Sequence, residues 1–173
     1  TLRVTGRLDN LTGKHRNGTL LLTLRDAEGR AVLRHKERIA VAAGTSDFDL
    51  KLTSDEALQP WDEYSPYLYT LTVDYRFGKS RGTEQVRIGF RDLSTADGRL
   101  LLNGRTLYLR GEHDPGSFPL TGYPSMDKAD WLRIFRIGKE YGLNHWRFHS
   151  WCPPEAAFAA ADEVGIYLQP ELT

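Results

Sequence analysis

The stretch NHWRFHSWCPPEAAFAAADEVGIYL, residues 144–168, decides the fold. Asn144 to Phe148 reads as a short strand. Pro154 to Val164 reads as a helix, with proline in its first turn and Gly165 as its C-terminal cap. Ile166-Tyr167-Leu168 is the next strand. Upstream, Asp127 to Tyr141 places Trp131, Ile134, Phe135 and Gly138 along one helical stripe, and Gly142 stops it. A loop rich in glycine and proline (Pro115, Gly116, Pro119, Gly122, Pro124) separates this helix from Leu100 to Leu109, two apolar arms around Asn103-Gly104, a strong hairpin signal. From Thr106 onward the order is β-α-β-α-β, the mark of a parallel sheet. A closed eight-stranded barrel takes about 250 residues, so residues 93–173 are expected to hold only the N-terminal portion of a (β/α)8 barrel.

Working outward from there, residues 1–92 have the texture of an all-β domain. Leu2, Val4, Gly6 and Leu8 alternate with Arg3, Thr5, Arg7 and Asp9, the period of a half-buried strand. Thr19 to Leu24 is an apolar run ending in the turn Asp26-Ala27-Glu28-Gly29, and Ala31 to Val41 is the next strand. Phe48, Leu50 and Leu52 alternate with charged or polar neighbours. Tyr67 to Tyr75 alternates again, and Gln85 to Phe90 completes the set. Short strands at such intervals predict an immunoglobulin-like β-sandwich over 1–92.

Bulk composition narrows the partners. Lysine plus arginine equals aspartate plus glutamate at 23 each, so nothing in the net charge points to nucleic acid or an anionic membrane. A neutral, polar partner such as a sugar fits. The single cysteine, Cys152, excludes an intramolecular disulfide framework and a cysteine-rich zinc site. No apolar run reaches the roughly 18 residues a membrane helix needs. Thr1-Leu2-Arg3-Val4-Thr5 reads as a strand, so any secretion signal is expected upstream and the compartment stays open.

These segments together resemble glycoside hydrolase family two, the group of β-galactosidases, β-glucuronidases and β-mannosidases. Trp61 followed by Ser65-Pro66-Tyr67-Leu68-Tyr69-Thr70-Leu71 is similar to its penultimate sandwich strand, and Ile88-Gly89-Phe90-Arg91 to its last. Leu102-Asn103-Gly104 resembles the barrel entry, and Leu109-Arg110-Gly111 with His113-Asp114 the end of barrel strand one. Asn144-His145-Trp146-Arg147 and then Asp162 to Leu168 match the segment from strand two to strand three. Two departures mark a divergent branch. Ser150-Trp151-Cys152 stands where the family has His-Tyr-Pro, with His149 one position earlier, and Gly111-Glu112 replaces the Asn-Arg before the strand-one histidine.

The resemblance implies a retaining β-glycosidase, β-galactosidase-like first, acting on O-glycosidic bonds of oligo- or polysaccharides without a cofactor. It puts both catalytic glutamates on later barrel strands, so none is expected in this chain, which would be inactive alone. Its site would lie at the C-terminal ends of the strands, where Glu112, His113 and Asp114, then Arg147, His149 and Trp151, then Glu171 would converge. Arg147 takes the place of the arginine beside the nucleophile, where a guanidinium keeps a carboxylate ionised. The alternative for Arg147 is a structural salt bridge. Trp151 fits sugar stacking or packing over the barrel mouth equally well. His113 and Asp114 fit hydroxyl contacts or an ordinary loop, and Glu171 a hydroxyl contact. Cys152, Trp61, Trp131 and Trp146 read as packing.

Two other readings compete. A non-catalytic carbohydrate-binding sandwich fits residues before 92 but leaves the β-α-β-α-β tail unexplained. A metal-dependent hydrolase would gather His113, Asp114, His149 and Glu171 as ligands, yet no paired-histidine motif supports it. The expected partners are a β-glycoside and the remainder of the parent barrel. Open sheet edges predict self-association of the chain by itself.

Overall fold

The computed structural model describes residues 1–172 and divides them into two compact units. The first comprises 1–58 and 69–88; the second comprises 59–68 and Gly89 onward. The alternating pattern predicts one unbroken sandwich over 1–92. The structure instead assigns 59–68 to the second unit, because Trp61 is buried there: its backbone N–H donates to the Phe90 carbonyl (2.7 Å) and its indole N–H to the Asp162 carbonyl (2.8 Å).

The first unit is an all-β sandwich. Strand β1 (Leu2–Asn10) pairs antiparallel with β4 (Gly44–Leu52), Leu2 opposite Leu52 and Asn10 opposite Gly44. The other sheet has the order β3-β2-β5-β6, from β2 (Arg16–Arg25), β3 (Ala31–Val41), β5 (Tyr69–Phe77) and β6 (Ser80–Ile88). Alternation sends Leu20, Leu22 and Leu24 to the core with Leu33, Leu71, Val4 and Leu52, all buried. The turn after β2 closes through the Gly29 N–H on the Asp26 carbonyl (3.0 Å), while the Asp26 carboxylate accepts the Arg30 N–H (2.7 Å). Strand β6 starts at Ser80, earlier than the apolar pattern shows, because an exposed edge strand needs no apolar face there.

In the second unit β7 (Leu93–Ala96), β8 (Arg99–Leu102) and β9 (Arg105–Thr106) form a small antiparallel sheet. Asn103 and Gly104, at φ 50° and 77°, make the hairpin turn that an Asn-Gly pair favours. A parallel sheet follows in the order β10-β11-β12: β10 (Gly111–Asp114), β11 (His145–Phe148) and β12 (Tyr167–Pro170). Helices α1 (Lys128–Glu140) and α2 (Glu155–Val164) connect them. The first parallel strand therefore begins at Gly111 rather than Thr106. Leu107 is spent on the hairpin, its N–H bonding the Leu100 carbonyl (2.8 Å), and apolarity alone does not distinguish a hairpin arm from a parallel strand.

Helix α1 starts where the Asp127 carboxylate accepts the Ala129 N–H (2.9 Å) and buries Trp131, Phe135 and Gly138, one stripe at i, i+4 and i+7. Pro154 is the N-cap of α2 rather than its first helical residue. Gly165 ends α2 at φ 81°, where a left-handed conformation and the backbone of Glu63 leave no room for a side chain. Trp131, Phe135, Trp146, Phe148, Ala157, Ala160, Ala161 and Ile166 form the core.

Candidate functional site

Parallel pairing brings the C-terminal ends of β10, β11 and β12 to one edge, so 115, 149 and 171 leave the sheet side by side. Register sets His113 beside Arg147 and Arg147 beside Gln169; Glu112, Trp146 and Leu168 form the alternate row. Trp146 packs on Phe135 and against Gly138, so the second row faces the helices and the first lies on the opposite face. Glu112, expected near the site, is thereby turned away and lines a groove with Ile134, Ile137, Tyr141 and Trp146.

The centre of the site is an ion pair. Arg147 Nε and Nη2 both reach Glu171 Oε1, at 2.7 and 2.6 Å, and Glu171 Oε2 accepts the Ser150 N–H at 2.9 Å. The Ser150 amide first, and the Arg147 side chain next, hold the Glu171 carboxyl below its ordinary 4.5. Ser150 sits at φ 60°, a left-handed conformation that costs a residue with a Cβ about 1–2 kcal/mol. That strained turn aims its amide at the carboxylate. Beside the pair, His113 Nε2 and His149 Nδ1 lie 2.8 Å apart with ring centroids at 4.9 Å. One ring nitrogen must donate and the other accept.

Asp114 and Trp151 hold the loops of the site. The Asp114 carbonyl accepts the His149 N–H (2.9 Å) and the Trp151 indole N–H (3.0 Å), and its carboxylate accepts the Gly116 N–H (2.8 Å). The Trp151 ring meets Phe148 and Phe118 edge-on, at 4.8 and 5.4 Å, and any side chain at Gly116 would touch it. Of the two uses expected for Trp151, the packing one is visible. Cys152 is exposed and not packed as expected, since Pro153 and not the thiol turns inward. Trp61, Trp131 and Trp146 are core residues.

His145 and Gln169 escaped the sequence reading although they share the face of Arg147. Their signal is the two-residue spacing from Arg147 and the register with β12, which needs the strands placed first. Burial lowers the pKa of His145, opposed by the hydrogen bond its ring makes to Gln169. A second polar group, at the N-terminal ends of the same strands, was also missed. There the buried Glu63 carboxylate accepts Asn144 Nδ2 (2.6 Å) and Arg110 Nη2 (3.4 Å), and Lys139 Nζ donates to the Glu63 carbonyl. Among the described residues no three histidine, cysteine or acidic side chains gather as metal ligands. The set His113, Asp114, His149 and Glu171 is broken up by the contacts just given.

Comparison with known proteins adds three findings. The family model described as glycosyl hydrolases family 2 matches residues 1–91. Among curated proteins, the chain is 27% identical to a β-galactosidase of Vibrio cholerae, over 98% of this chain and 17% of that protein. It is 29% identical to a β-galactosidase of Bifidobacterium adolescentis, over 87% of this chain and 14% of that protein. The chain thus spans less than a fifth of these relatives' length. Among solved structures, it resembles a glycosyl hydrolase family 2 member from Bacteroides cellulosilyticus at TM-score 0.86 and 21% identity, over 98% of this chain and 24% of that one. A β-glucuronidase of Bacteroides uniformis gives TM-score 0.83 and 22% identity, over 98% and 21%. At such identities the structural likeness speaks for the fold alone.

Proposed function

The chain belongs to glycosyl hydrolases family 2, and from that premise we propose that it is part of a retaining β-glycosidase of β-galactosidase type. The sandwich is the immunoglobulin-like domain of that enzyme, and residues 93–173 open its (β/α)8 barrel. The observation that carries the reading is the convergence of Arg147, Glu171, His113 and His149 at the C-terminal ends of three parallel strands, the end at which barrel enzymes build their sites.

Retaining hydrolysis needs two carboxylates about 5 Å apart, one as acid/base and one as nucleophile. The two carboxylates at this edge are each held by contacts within the chain. Glu171 is engaged by Arg147 and Ser150, and Asp114 closes its own turn. As the family resemblance implies, the catalytic pair comes from later barrel strands. Arg147 spends Nε and Nη2 on Glu171, and Nη1, with no partner among the described residues, is the donor left for the nucleophile. His113 and His149 are the side chains placed to bond sugar hydroxyls, and Trp151 fixes the loops that carry them. The substrate is a β-glycoside, and the rest of the barrel is the obligatory partner. A binding module without catalysis would leave this constellation without a use.

A panel of nitrophenyl β-glycosides, offered to the full-length enzyme and to this chain, tests the reading. Turnover by the full-length enzyme alone is expected. Turnover by the chain itself would put a complete carboxylate pair within it and overturn the assignment.

A further inference from the structure

The chain is neutral overall, yet the two sandwich sheets carry their charges very differently on their outer faces. On β1 and β4 the charges cancel locally, Arg3 pairing with Asp49 at 2.6 Å and Arg7 with Asp47 at 3.2 Å. On β3-β2-β5-β6 they do not. Because Leu20, Leu22 and Leu24 point to the core, the register sends Arg34, Lys36 and Arg38 of β3, with Arg76 and Arg81 of β5 and β6, to the opposite, exposed face. None of these five makes an ion pair or side-chain hydrogen bond among the described residues. The acidic side chain within this array, Asp74, accepts the Thr83 hydroxyl (2.5 Å).

The arrangement is costly to the free protein. Arg76 lies directly opposite Arg81, and Thr19 stands between Arg38 and Arg76, so three guanidinium groups occupy one row across the sheet. Like charges directly opposite each other destabilise a sheet. Along β3 the cations recur at every second residue, about 6.8 Å apart. Between these columns lie the half-buried Thr19 and Thr72 and the exposed Leu21, with Thr23 buried, and no aromatic side chain.

We infer that this sheet face docks an anionic polysaccharide, its carboxylates held by Arg38, Arg76 and Arg81 and its chain lying between them over Thr19 and Thr72. Guanidinium groups bind carboxylates through paired hydrogen bonds, and a flat sheet face without bulky side chains between them leaves room for an extended sugar polymer. Nucleic acid is disfavoured as the occupant, because the face has no ring for stacking a base and the chain has no net positive charge. The choice of a sugar polymer rests on the glycosidase reading; the uncompensated charge does not.

Affinity electrophoresis of this chain at low salt decides it, with polygalacturonate, a neutral galactan or duplex DNA in the gel. Retardation by polygalacturonate alone is expected. The variant R38Q/R76Q/R81Q should lose about tenfold in that affinity, three charge-assisted contacts being removed. R3Q/R7Q on the other sheet should keep it. Should the triple variant fail to fold, R38Q and R81Q singly serve, each expected to weaken binding while R81Q melts no lower than the parent sequence. Absence of retardation by polygalacturonate, equal retardation by DNA, or retention of full affinity in the variants would overturn the proposal. None of these outcomes depends on glycoside turnover, so failure here and failure of the glycosidase reading are read separately.

Discussion

Arg147 and Glu171 show how one backbone turn sets a side chain's chemistry. The Ser150 N–H is the largest single cause that lowers the Glu171 pKa and stays in place without the guanidinium, so Arg147→Ala should raise that pKa only part of the way back to 4.5. Carboxyl-detected NMR titration of the chain checks this; a return to 4.5 or above would mean that the amide contributes nothing. The sign for stability follows. A carboxyl lowered in the folded state stabilises above its unfolded value of 4.5, and that contribution is lost as pH falls through the lowered value. In the full-length enzyme, Arg147→Ala is expected to lower kcat/KM about a hundredfold or more, the scale of losing one preorganised donor. Unchanged kinetics would return Arg147 to the structural salt bridge the sequence also allowed. At this scale the sequence named Arg147, Glu171, His113 and His149, and these side chains do assemble. It missed the Ser150 amide, because a backbone donor at φ 60° leaves no trace in side-chain identity.

Elements in the second unit depend on a few close approaches. A Cβ at Gly165 would lie 2.7 Å from the Glu63 carbonyl oxygen in a backbone that is already left-handed. Gly165→Ala should therefore destabilise the unit by more than the about 1 kcal/mol of a left-handed alanine alone. Chemical denaturation followed by tryptophan fluorescence measures it, and a loss well under that figure would mean that the 59–68 segment moves aside freely. Phe135→Ala, in a fully buried ring position between Trp131 and Trp146, should cost about 3–5 kcal/mol. The helix of residues 128–140 was legible from its stripe and caps. The start of the first parallel strand was not, since Thr106 to Leu109 carries the apolar pattern of a strand while Gly111 to Asp114, which pairs with β11, is polar throughout.

For the molecule as a whole, the parallel sheet has β10 and β12 as edges, each unpaired on its outer side among the described residues. Exposed strand edges recruit further strands, so the chain by itself is expected to self-associate, or its second unit to melt below the sandwich. Light scattering with calorimetry tests this, and a monomer with one cooperative transition would count against it. By itself, the sequence determined the all-β character of the first half, the alternation of strands and helices in the second, and the family. Periodicity and capping act over a few residues, and a family signature is a matter of order and spacing. Only the tertiary structure decided that 59–68 join the second unit, that Glu63 is buried against Asn144, and that Glu112 turns from the site while His145 and Gln169 turn to its face. Those facts depend on strand register, and register is set by which residues far apart in the chain can share one core.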